Sequence, residues 1–523
     1  MSSRPIPPRP SLEFDRKQAK TLLEALHRGD AGAAQRFRAH HPRFGTRGAS
    51  SGAALHDAQL VIAREYGFAS WPRWKQFVEA RELDTKARAA ELVRAACSGD
   101  MRRASMLLAL EPDLEDFDLA TACVCGAAEH VTRLLQRDPS QARRRHGPLD
   151  REPILYACFS RFLRSDPRRA AGIVTVVRVL LDHGAGANAH CTVSEGGETW
   201  IQTALYGAAG IANNVELTRL LLAAGADVNE GQADPTGELR ASVLGTEALY
   251  HASEFADVTC LRLLLEASPP PHPARISYCL ARMLDFENPI GVDLYLRHGA
   301  DPNFRIPWLR DRTHLHRAVG YGRSAPIVRR LLEAGGDPNV TDARGMTPLR
   351  TAVRLGRDDV AALLRAAGAD VAALMPEDVA EPAADPDVLC DAAYHNAVEA
   401  MRRLLEAGAD PSALGGHDET PPLHWACWRG RVEAARLLIE RGADIHAVNR
   451  YGSDALGTTM HGSVSCHDPL GGMTMKLAEE ITHGDYAAIA ELLIAAGARL
   501  PSRIGGSEAV QEVLRRAGVP DAE

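Results

Sequence analysis

The sequence predicts an all-α solenoid, a fold in which helix–turn–helix units stack side by side. Three observations support this prediction. The chain has 523 residues, more than a single hydrophobic core organises. Aromatic residues make up only 5% of it, while small residues such as glycine, with 44 copies, are frequent and permit close helix packing. A short sequence form also recurs along the chain, which is typical of repeat proteins.

The recurring form has two parts. The part that closes a unit reads LLAAGADVN at 221–229, YLRHGADPN at 295–303 and LLEAGADPS at 404–412. The part that opens a unit reads THLHRA at 313–318 and TPLRTA at 347–352. Shared positions recur roughly every 33 to 40 residues. Because helices of about 8–10 residues are too short to be stable alone, stability must come from the stacking of neighbouring units.

One repeat, MTPLRTAVRLG followed by DDVAALLRAA, shows how each helix begins and ends. Thr347 is suited to cap the first helix, and Pro348 follows at a position where a missing N–H costs nothing. Gly356 ends the first helix. Gly368 follows the second helix and is suited to a left-handed C-terminal cap. The sequence therefore predicts two short helices joined by a tight turn.

These two parts resemble the signature of the ankyrin repeat, T-P-L-H-x-A followed by L-L-x-x-G-A-D. The resemblance is strong over residues 199–265 and 290–500, and it is weaker but in register over 87–135. It implies a solenoid of roughly ten to twelve units with short hairpin-like turns. Residues 150–190 fit with an insertion around LRSDPRRAAG. Residues 267–284 have lost the Gly-Ala-Asp turn, so we expect an irregular unit there.

The repeat pattern divides the chain into three predicted segments. Residues 1–85 resemble the leading segment of many bacterial ankyrin-repeat proteins, and we expect a helical cap over the first unit. Residues 86–500 form the predicted solenoid, with an insertion at about 462–484, and residues 501–523 a predicted C-terminal capping helix. Four aromatic residues of the leading segment are expected in its core: Tyr66, Phe68, Trp71 and Trp74.

Composition and charge favour a cytoplasmic protein. The sequence has no run of about 18 apolar residues that would form a membrane span, and its start, MSSRPIPPRP, lacks the apolar run of a signal peptide. The ten cysteines are scattered without a CxxC pair, which predicts buried free thiols. The net charge is −8, and the basic stretch QARRRHG has no aromatic platform beside it, so nucleic-acid binding is not favoured.

The stretch TPPLHWACWRGR carries the strongest candidate for a binding surface. On a helical wheel, Trp425, Trp428 and Arg429 lie opposite the small residues Ala426 and Cys427. The resemblance implies that the small face packs inward and that the other face lines a concave groove, where tryptophan, tyrosine and arginine are typical binding residues. Such residues could instead fill gaps between irregular units. With equivalent positions in other units, the predicted partner-binding groove contains Phe255, Tyr321, Arg354, Tyr394, His395, Trp425, Trp428 and Arg429.

The sequence contains no recognisable catalytic motif, such as a glycine-rich phosphate loop, HExxH or GxSxG. The resemblance implies that His316 and His424 make structural hydrogen bonds between turns. The stretch MHGSVSCHDPLGG holds side chains of metal-binding type, but their spacing matches no familiar ligand pattern. The metal candidates there are His461, Cys466, His467 and Asp468. We expect no catalytic residue, no cofactor and no metal.

The sequence favours a non-enzymatic scaffold that binds a protein partner through the groove of the solenoid. We expect no membrane contact and no small-molecule substrate. Two alternatives stay open. One is a metal-dependent enzyme or metal site in the insertion at 462–484, and the other is an immunity, inhibitor or effector protein that acts by groove binding. Because a fold does not fix a function, the repeats do not identify the partner.

Overall fold

The architecture is a row of helix pairs that follows a group of four N-terminal helices in a computed structural model of the chain. The structure describes residues 4–41, 44, 53–195, 198–229, 248–284, 288–306, 311–374, 386–394, 396–415, 419–465 and 485–519. Within these residues, no helix is both long enough and apolar enough to cross a membrane.

The N-terminal segment consists of α1 (Leu12–His27), α2 (Ala31–His40), α3 (Leu55–Glu65) and α4 (Trp71–Glu82). These helices bury a hydrophobic core of their own, separate from that of the repeats. The rings of Tyr66 and Trp74 stack there with centroids 4.3 Å apart, and both side chains donate hydrogen bonds to the buried carboxylate of Asp15. Trp71 is buried and Phe68 packs against the same core, so the four predicted core aromatics are confirmed.

The repeats are helix pairs, and we name two arrays of them. The first array, residues 85–374, contains α5 (Thr85–Ser98), α6 (Met101–Leu110), α7 (Leu119–Cys125), α8 (Ala128–Arg137), α9 (Pro153–Cys158), α10 (Phe162–Ser165), α11 (Pro167–Asp182), a π-helical turn (Tyr206–Ile211), α12 (Val215–Ala223), α13 (Ala248–Ala252), α14 (Thr259–Leu265), α15 (Pro273–Met283), α16 (Pro289–Arg297), α17 (His314–Gly320), α18 (Ala325–Glu333), α19 (Pro348–Arg354) and α20 (Asp358–Ala366). The second array, residues 386–519, contains α21 (Pro386–Tyr394), α22 (Val398–Glu406), α23 (Pro422–Trp428), α24 (Val432–Glu440), α25 (Ala455–Ser465), α26 (Tyr486–Ala495) and α27 (Glu508–Arg516).

Within the described residues, one β-hairpin accompanies these helices. Its strands, β1 (His190–Glu195) and β2 (Glu198–Thr203), pair antiparallel with His190 opposite Thr203. It lies in the turn between α11 and the π-helical turn. Other turns contain isolated bridges, such as the one between Ile306 and Arg312. The predicted all-α solenoid with hairpin-like turns is therefore confirmed.

The caps predicted for one repeat are present. The Thr347 hydroxyl accepts a hydrogen bond from the backbone N–H of Arg350 at 3.2 Å, and Pro348 occupies the first turn of the helix. Gly356 and Gly368 have φ angles of +64° and +90°, in the left-handed region that favours glycine. The local sequence therefore sets where both helices of the unit begin and end.

Asparagine side chains link consecutive turns of the first array. Asn303 donates through Nδ2 to the carbonyl of Gly335 at 2.9 Å, and its Oδ1 accepts from the backbone N–H of Asp337 at 2.8 Å. Asn339 makes the same two kinds of bond one unit later. The asparagine of the closing part of the repeat thus satisfies backbone groups of the neighbouring unit.

The regular stack is interrupted between the two arrays. One hydrophobic core extends through the first array to Ala369, and a second core joins Leu355 with residues from Val388 to Val519. Within the arrays, helices of consecutive units pack together, as α18 does on α20. The helix α21, in contrast, packs more closely on α17 than on α19. The arrays therefore meet at a junction that does not repeat the geometry of the stack.

The two ends of the described chain contact each other. Glu508 on α27 pairs with Arg73 on α4 at 3.0 Å and with Arg102 on α6 at 3.1 Å. These side chains are exposed, so the pairs add little stability. The apolar face of α27 buries Val510 and Leu514 in the core of the second array. The predicted roles of these end segments as caps, and their boundaries, stay predictions.

Candidate partner-binding face

Aromatic rings cluster where α17, α21 and α23 approach one another. The rings of Tyr321 and Tyr394 lie 5.3 Å apart, and Trp425 meets Tyr394 nearly edge-on at 5.8 Å. Trp428 packs on the ring of His461 at 5.1 Å. Four predicted groove residues thus lie in one region, and we call Tyr321, Tyr394, Trp425 and Trp428 the aromatic cluster.

Arginines cover this aromatic cluster. The guanidinium carbon of Arg317 lies 4.5 Å from the ring centroid of Tyr321, and that of Arg429 lies 4.8 Å from the ring centroid of Tyr394. At such distances a cation is attracted to the ring face. Burial and the adjacent charge of Arg429 lower the pKa of Arg431 to about 10. Three arginines, Arg317, Arg429 and Arg431, therefore lie around the rings of Tyr321 and Tyr394.

Two predicted groove residues are buried, which corrects the prediction for them. Arg429 is 8% exposed because its guanidinium lies over Tyr394 instead of in solvent. Phe255 is 4% exposed, and the guanidinium of Arg164 lies 5.1 Å from its ring centroid. A helical wheel gives the direction of a side chain from its own helix, but it does not show which other element covers that side chain.

Tyr321 and Tyr394 belong to the junction between the arrays. The sequence placed them in separate units of one open stripe, but their rings touch because α21 packs against α17. Both are half-buried, so the gap-filling alternative stays open for them. Arg354 lies at the end of α19 with intermediate exposure, and His395 lies outside the described residues. Their roles in binding stay predictions.

Ion pairs accompany the tyrosines at the junction. Arg312 lies between Asp342 of the first array and Asp391 of α21, at 3.3 Å from a carboxylate oxygen of each. Burial alone would favour neutral Arg312, but the two carboxylates outweigh it and raise the pKa of this arginine. Arg344 makes a second pair across the junction, at 2.7 Å from Asp387. The two arrays are thus joined by opposite charges as well as by rings.

The two tryptophans of α23 lie farther along the second array. Ala426 and Cys427 are fully buried on the other side of this helix, as the wheel predicted. Trp425 and Trp428 keep intermediate exposure, although Trp428 also packs against the core of the second array. The hydrogen bond from His424 Nε2 to the carbonyl of Ser453, at 3.1 Å, holds α23 beside the next turn.

The turns beside α23 carry apolar side chains that the sequence reasoning missed. Leu414 is 57% exposed, Val448 is 59% exposed and Tyr451 is 70% exposed. Leu414 and Val448 occupy the same repeat position, at equal distances after Gly408 and Gly442. That equivalence was the available signal, because apolar residues at turn tips have no core to enter. We call Leu414, Val448 and Tyr451 the turn tips.

The buried histidines have structural roles. The backbone N–H of Thr313 donates to Nδ1 of His316 at 3.2 Å, so Nε2 carries the proton donated to the carbonyl of Met346 at 2.8 Å. Burial lowers the pKa of His316 to about 4 and that of His314 to about 3. The predicted structural hydrogen bonds of His316 and His424 are therefore confirmed.

The predicted metal candidates fall mostly outside the described residues. Cys466, His467 and Asp468 lie there, whereas His461 is exposed and packs on Trp428. In the part of the chain that the structure describes, no three histidine, cysteine or acidic side chains are grouped to hold a metal ion. Of the cysteines described, Cys97 is partly exposed and the others are buried free thiols.

Comparison with family models identifies the repeats. Models described as ankyrin repeats in many copies, ankyrin repeats in three copies and a single ankyrin repeat match residues 389–439, 281–375 and 202–231. Each matched range contains helix pairs of the arrays described above. The strongly repetitive parts of both arrays are thus recognised by independent models.

Two relatives and one solved structure are similar to parts of the chain. An ankyrin repeat-containing protein of Treponema pallidum (strain Nichols) is 42% identical over 94 residues, which cover 18% of this chain and 30% of that protein. Cyclin-dependent kinase 4 inhibitor B of Bos taurus is 34% identical over 127 residues, or 24% of this chain and 95% of that protein. The crystal structure of the human ASB11 ankyrin repeat domain shares 21% identity over 46% of this chain and 99% of that domain, with a TM-score of 0.23, too low to support an argument.

Proposed function

The chain belongs to the ankyrin-repeat family, and from this premise we propose that it is a non-enzymatic scaffold that binds a protein partner through the concave groove of its solenoid. The binding face that we propose lies on the second array. It consists of the tryptophans of α23 and the turn tips. The N-terminal helices and α27 would then act as caps that keep the ends of the stack from exposing apolar surface.

The observation that carries this proposal is the exposed apolar surface beside α23. Turn tips that are 57%, 59% and 70% exposed belong to the turns before α23 and after α24, in the same part of the second array as the two partly buried tryptophans. Single apolar residues are normal on a protein surface, but apolar tips at the same repeat position of two consecutive turns are a candidate interaction site. Tryptophan and tyrosine dominate the energy of such sites because they bury large rings at low entropic cost.

The exposed side chains of the proposed face suggest the chemistry of the partner. The three turn tips are apolar or aromatic, and so are the two tryptophans of α23. We propose that the partner presents an apolar segment to this face. The bovine relative supports a protein partner, because its name describes an inhibitor of a kinase.

Affinity capture with quantitative mass spectrometry tests the proposal. The wild-type chain and three variants are run in parallel on lysate of the source cells: Trp428→Ala, a turn-tip variant (Leu414→Ser, Val448→Ser and Tyr451→Ser) and a control. The control, Ile290→Ser with Phe117→Ser, replaces two side chains of the first array that are 62% and 44% exposed. We expect the first two variants to lose about tenfold or more of one captured protein, since interface aromatics contribute that much.

The control variant should retain that protein at the wild-type level. Equal capture by all four chains would contradict the proposed face. Circular dichroism of each variant shows whether a loss reflects binding or unfolding, because Trp428 also packs on the core. The turn-tip variant is the safer test, since its side chains have no core contacts to lose.

A further inference from the structure

A cleft of about 550 Å³ opens in the first array, among α5, the end of α9, β2 and the π-helical turn. Its volume lies in the range of small-molecule sites in proteins, about 300–1,000 Å³. It is lined by residues of the first array alone, so it does not include the proposed partner-binding face. None of the partner-binding residues predicted from the sequence contributes to it.

The short segment that follows α9 builds one wall of this cleft. The backbone N–H of Arg161 donates to the carbonyl of Ala96 at the end of α5, at 2.9 Å. The buried hydroxyl of Ser160 donates to the carbonyl of Val124 on α7 at 2.6 Å. The segment therefore reaches back past α7 to α5, and it brings Arg161 beside residues two units away. Ser160 and Arg161 directly precede the insertion predicted from the sequence around LRSDPRRAAG.

The charged side chains of the cleft leave an excess of positive charge. Its carboxylates are engaged locally, because Glu91 pairs with Arg103 at 3.3 Å and Asp100 accepts the backbone N–H of Arg103 at 2.9 Å. Arg94 and Arg151 also line the cleft, and neither has an ion-pair partner among the described residues. Together with Arg161, they present guanidinium groups to the same space.

Two of these arginines, Arg151 and Arg161, lie near the thiol of Cys97, which also lines the cleft. Burial raises the pKa of the Cys97 thiol to about 12, and the charges of Arg151 and Arg161 act in the opposite direction, as expected if both lie near that sulfur. The guanidinium carbon of Arg151 lies 5.3 Å from the ring centroid of Phe159. A guanidinium held against an aromatic ring loses less side-chain freedom when it forms a bidentate contact.

Two aromatic side chains that are largely buried, Phe159 at 5% and Tyr206 at 7% exposure, complete the lining of the cleft. Phe159 and Tyr206 meet edge to face with centroids 5.8 Å apart, and Ile211 lies beside them. The cleft therefore combines guanidinium donors with an apolar wall, the usual composition of a site that holds an organic anion. Guanidinium groups bind planar carboxylates and tetrahedral phosphates through paired hydrogen bonds to two of their oxygens.

We propose that this cleft binds an organic oxyanion, a phosphate or carboxylate attached to an aromatic or aliphatic body. The oxyanion would lie between Arg94, Arg151 and Arg161, and the body would lie against Phe159 and Tyr206. The same chemistry is available on a free small molecule and on a phosphotyrosine side chain of a protein. The site is independent of the proposed partner-binding face, so either proposal can fail without the other.

Isothermal titration calorimetry on the full-length chain tests this site. The probes are phenyl phosphate, benzoate, a phosphotyrosine-containing peptide and phenol, which has the same ring without the anion. We expect saturable binding of phenyl phosphate or benzoate and none of phenol. Peptide binding at least as tight as that of phenyl phosphate indicates a protein-borne ligand, and weaker peptide binding indicates a free small molecule.

The matched variants are Arg94→Gln, Arg151→Gln and the control Arg219→Gln, an exposed arginine on α12 outside the cleft. We expect each cleft variant to weaken binding about tenfold, the effect of one charge-assisted hydrogen bond, and the control to bind like wild type. Arg94 is exposed, so its replacement leaves the fold intact even if Arg151→Gln disturbs Phe159. No saturable binding of any anionic probe, or equal binding by all variants, would overturn the site.

Discussion

The regular stack from α16 to α20 and the junction between α17 and α21 are built from the same kind of unit but held together differently. In the stack, Asn303 and Asn339 bridge the backbones of consecutive turns. At the junction, Tyr321 and Tyr394 touch, and Arg312 bridges two aspartates. The difference teaches that an aromatic residue at the variable position of a repeat is not necessarily a partner contact.

Acid should have the largest effect, and it should weaken the stack and the junction together because α17 belongs to both. His314 and His316, both on α17, have pKa values lowered to about 3 and about 4 from an ordinary 6.5, because they are buried. Below pH 6.5 the unfolded chain therefore binds protons that the native chain does not, so stability falls as the pH falls. Each histidine should contribute about 1.4 kcal/mol of destabilisation per pH unit until its folded pKa is reached.

Urea unfolding of the full chain at pH 7 and pH 5 measures this effect. The variant His314→Phe removes one titrating ring and keeps an aromatic side chain, so the difference between the two pH values should shrink. The control His446→Phe changes an exposed histidine of the second array and should leave the difference unchanged. A pH dependence that His314→Phe does not alter would show that His314 is not one of the acid-sensitive groups.

The repeat unit could be predicted because its determinants are local. Thr347, Pro348 and Gly368 act within a few residues of their own position, so their neighbours in sequence reveal their roles. The junction could not be predicted, because it depends on how α21 docks after a break in the pattern. The burial of Arg429 and Phe255 was missed for the same reason, since distant residues cover them.

The arginine cleft was equally beyond sequence reasoning. Arg94, Arg151 and Tyr206 come from different units, and no spacing in the sequence marks them as neighbours. The departure from the repeat after α9 was visible in the sequence. The sequence did not show that the segment following α9 turns back towards α5. The turn tips, in contrast, could have been found, because Leu414 and Val448 are apolar at a repeat position that faces solvent.

Replacement of Arg312, whose guanidinium lies between two aspartates, should be the most damaging single substitution at the junction. Arg312→Ala leaves Asp342 and Asp391 facing each other with little solvent, so we expect a loss of about 3 kcal/mol in the free energy of unfolding. Urea unfolding monitored by circular dichroism measures the loss. Arg297→Ala, an exposed arginine on α16, is the matched control and should change stability by less than about 0.5 kcal/mol. Equal stability of the two variants would refute a stabilising role for the junction.

Truncation of a junction ring should have a smaller effect. Tyr394→Ala removes contacts with Tyr321, Trp425 and the guanidinium of Arg429, so we expect a loss of about 2 kcal/mol in stability. Tyr394→Phe keeps the ring and should be close to wild type. Because we assign Tyr394 to the junction, Tyr394→Phe should also capture partner normally. If Tyr394→Phe lost the partner while its stability stayed unchanged, Tyr394 would belong to the binding face.

Loss of one turn link in the regular stack should have the smallest effect. Asn339→Ala removes two exposed hydrogen bonds to the neighbouring unit, each worth about 0.5–1 kcal/mol there, so we expect a loss of about 1–2 kcal/mol. Asn303→Ala should cost a similar amount, because it makes equivalent bonds. Thermal unfolding compares the two. A clear inequality between them would show that the units of the stack are less alike than their hydrogen bonds suggest.

Hydrogen–deuterium exchange of the full chain, alone and with its captured partner, tests the binding face most directly. We predict slower exchange on partner binding in residues 410–415, 422–429 and 444–453, which contain the turn tips and the tryptophans of α23. The junction peptides around Tyr321 should be slow in both states. Protection confined to α18, α20 and α24, the second helices of their pairs, with those turns unchanged, would contradict the account.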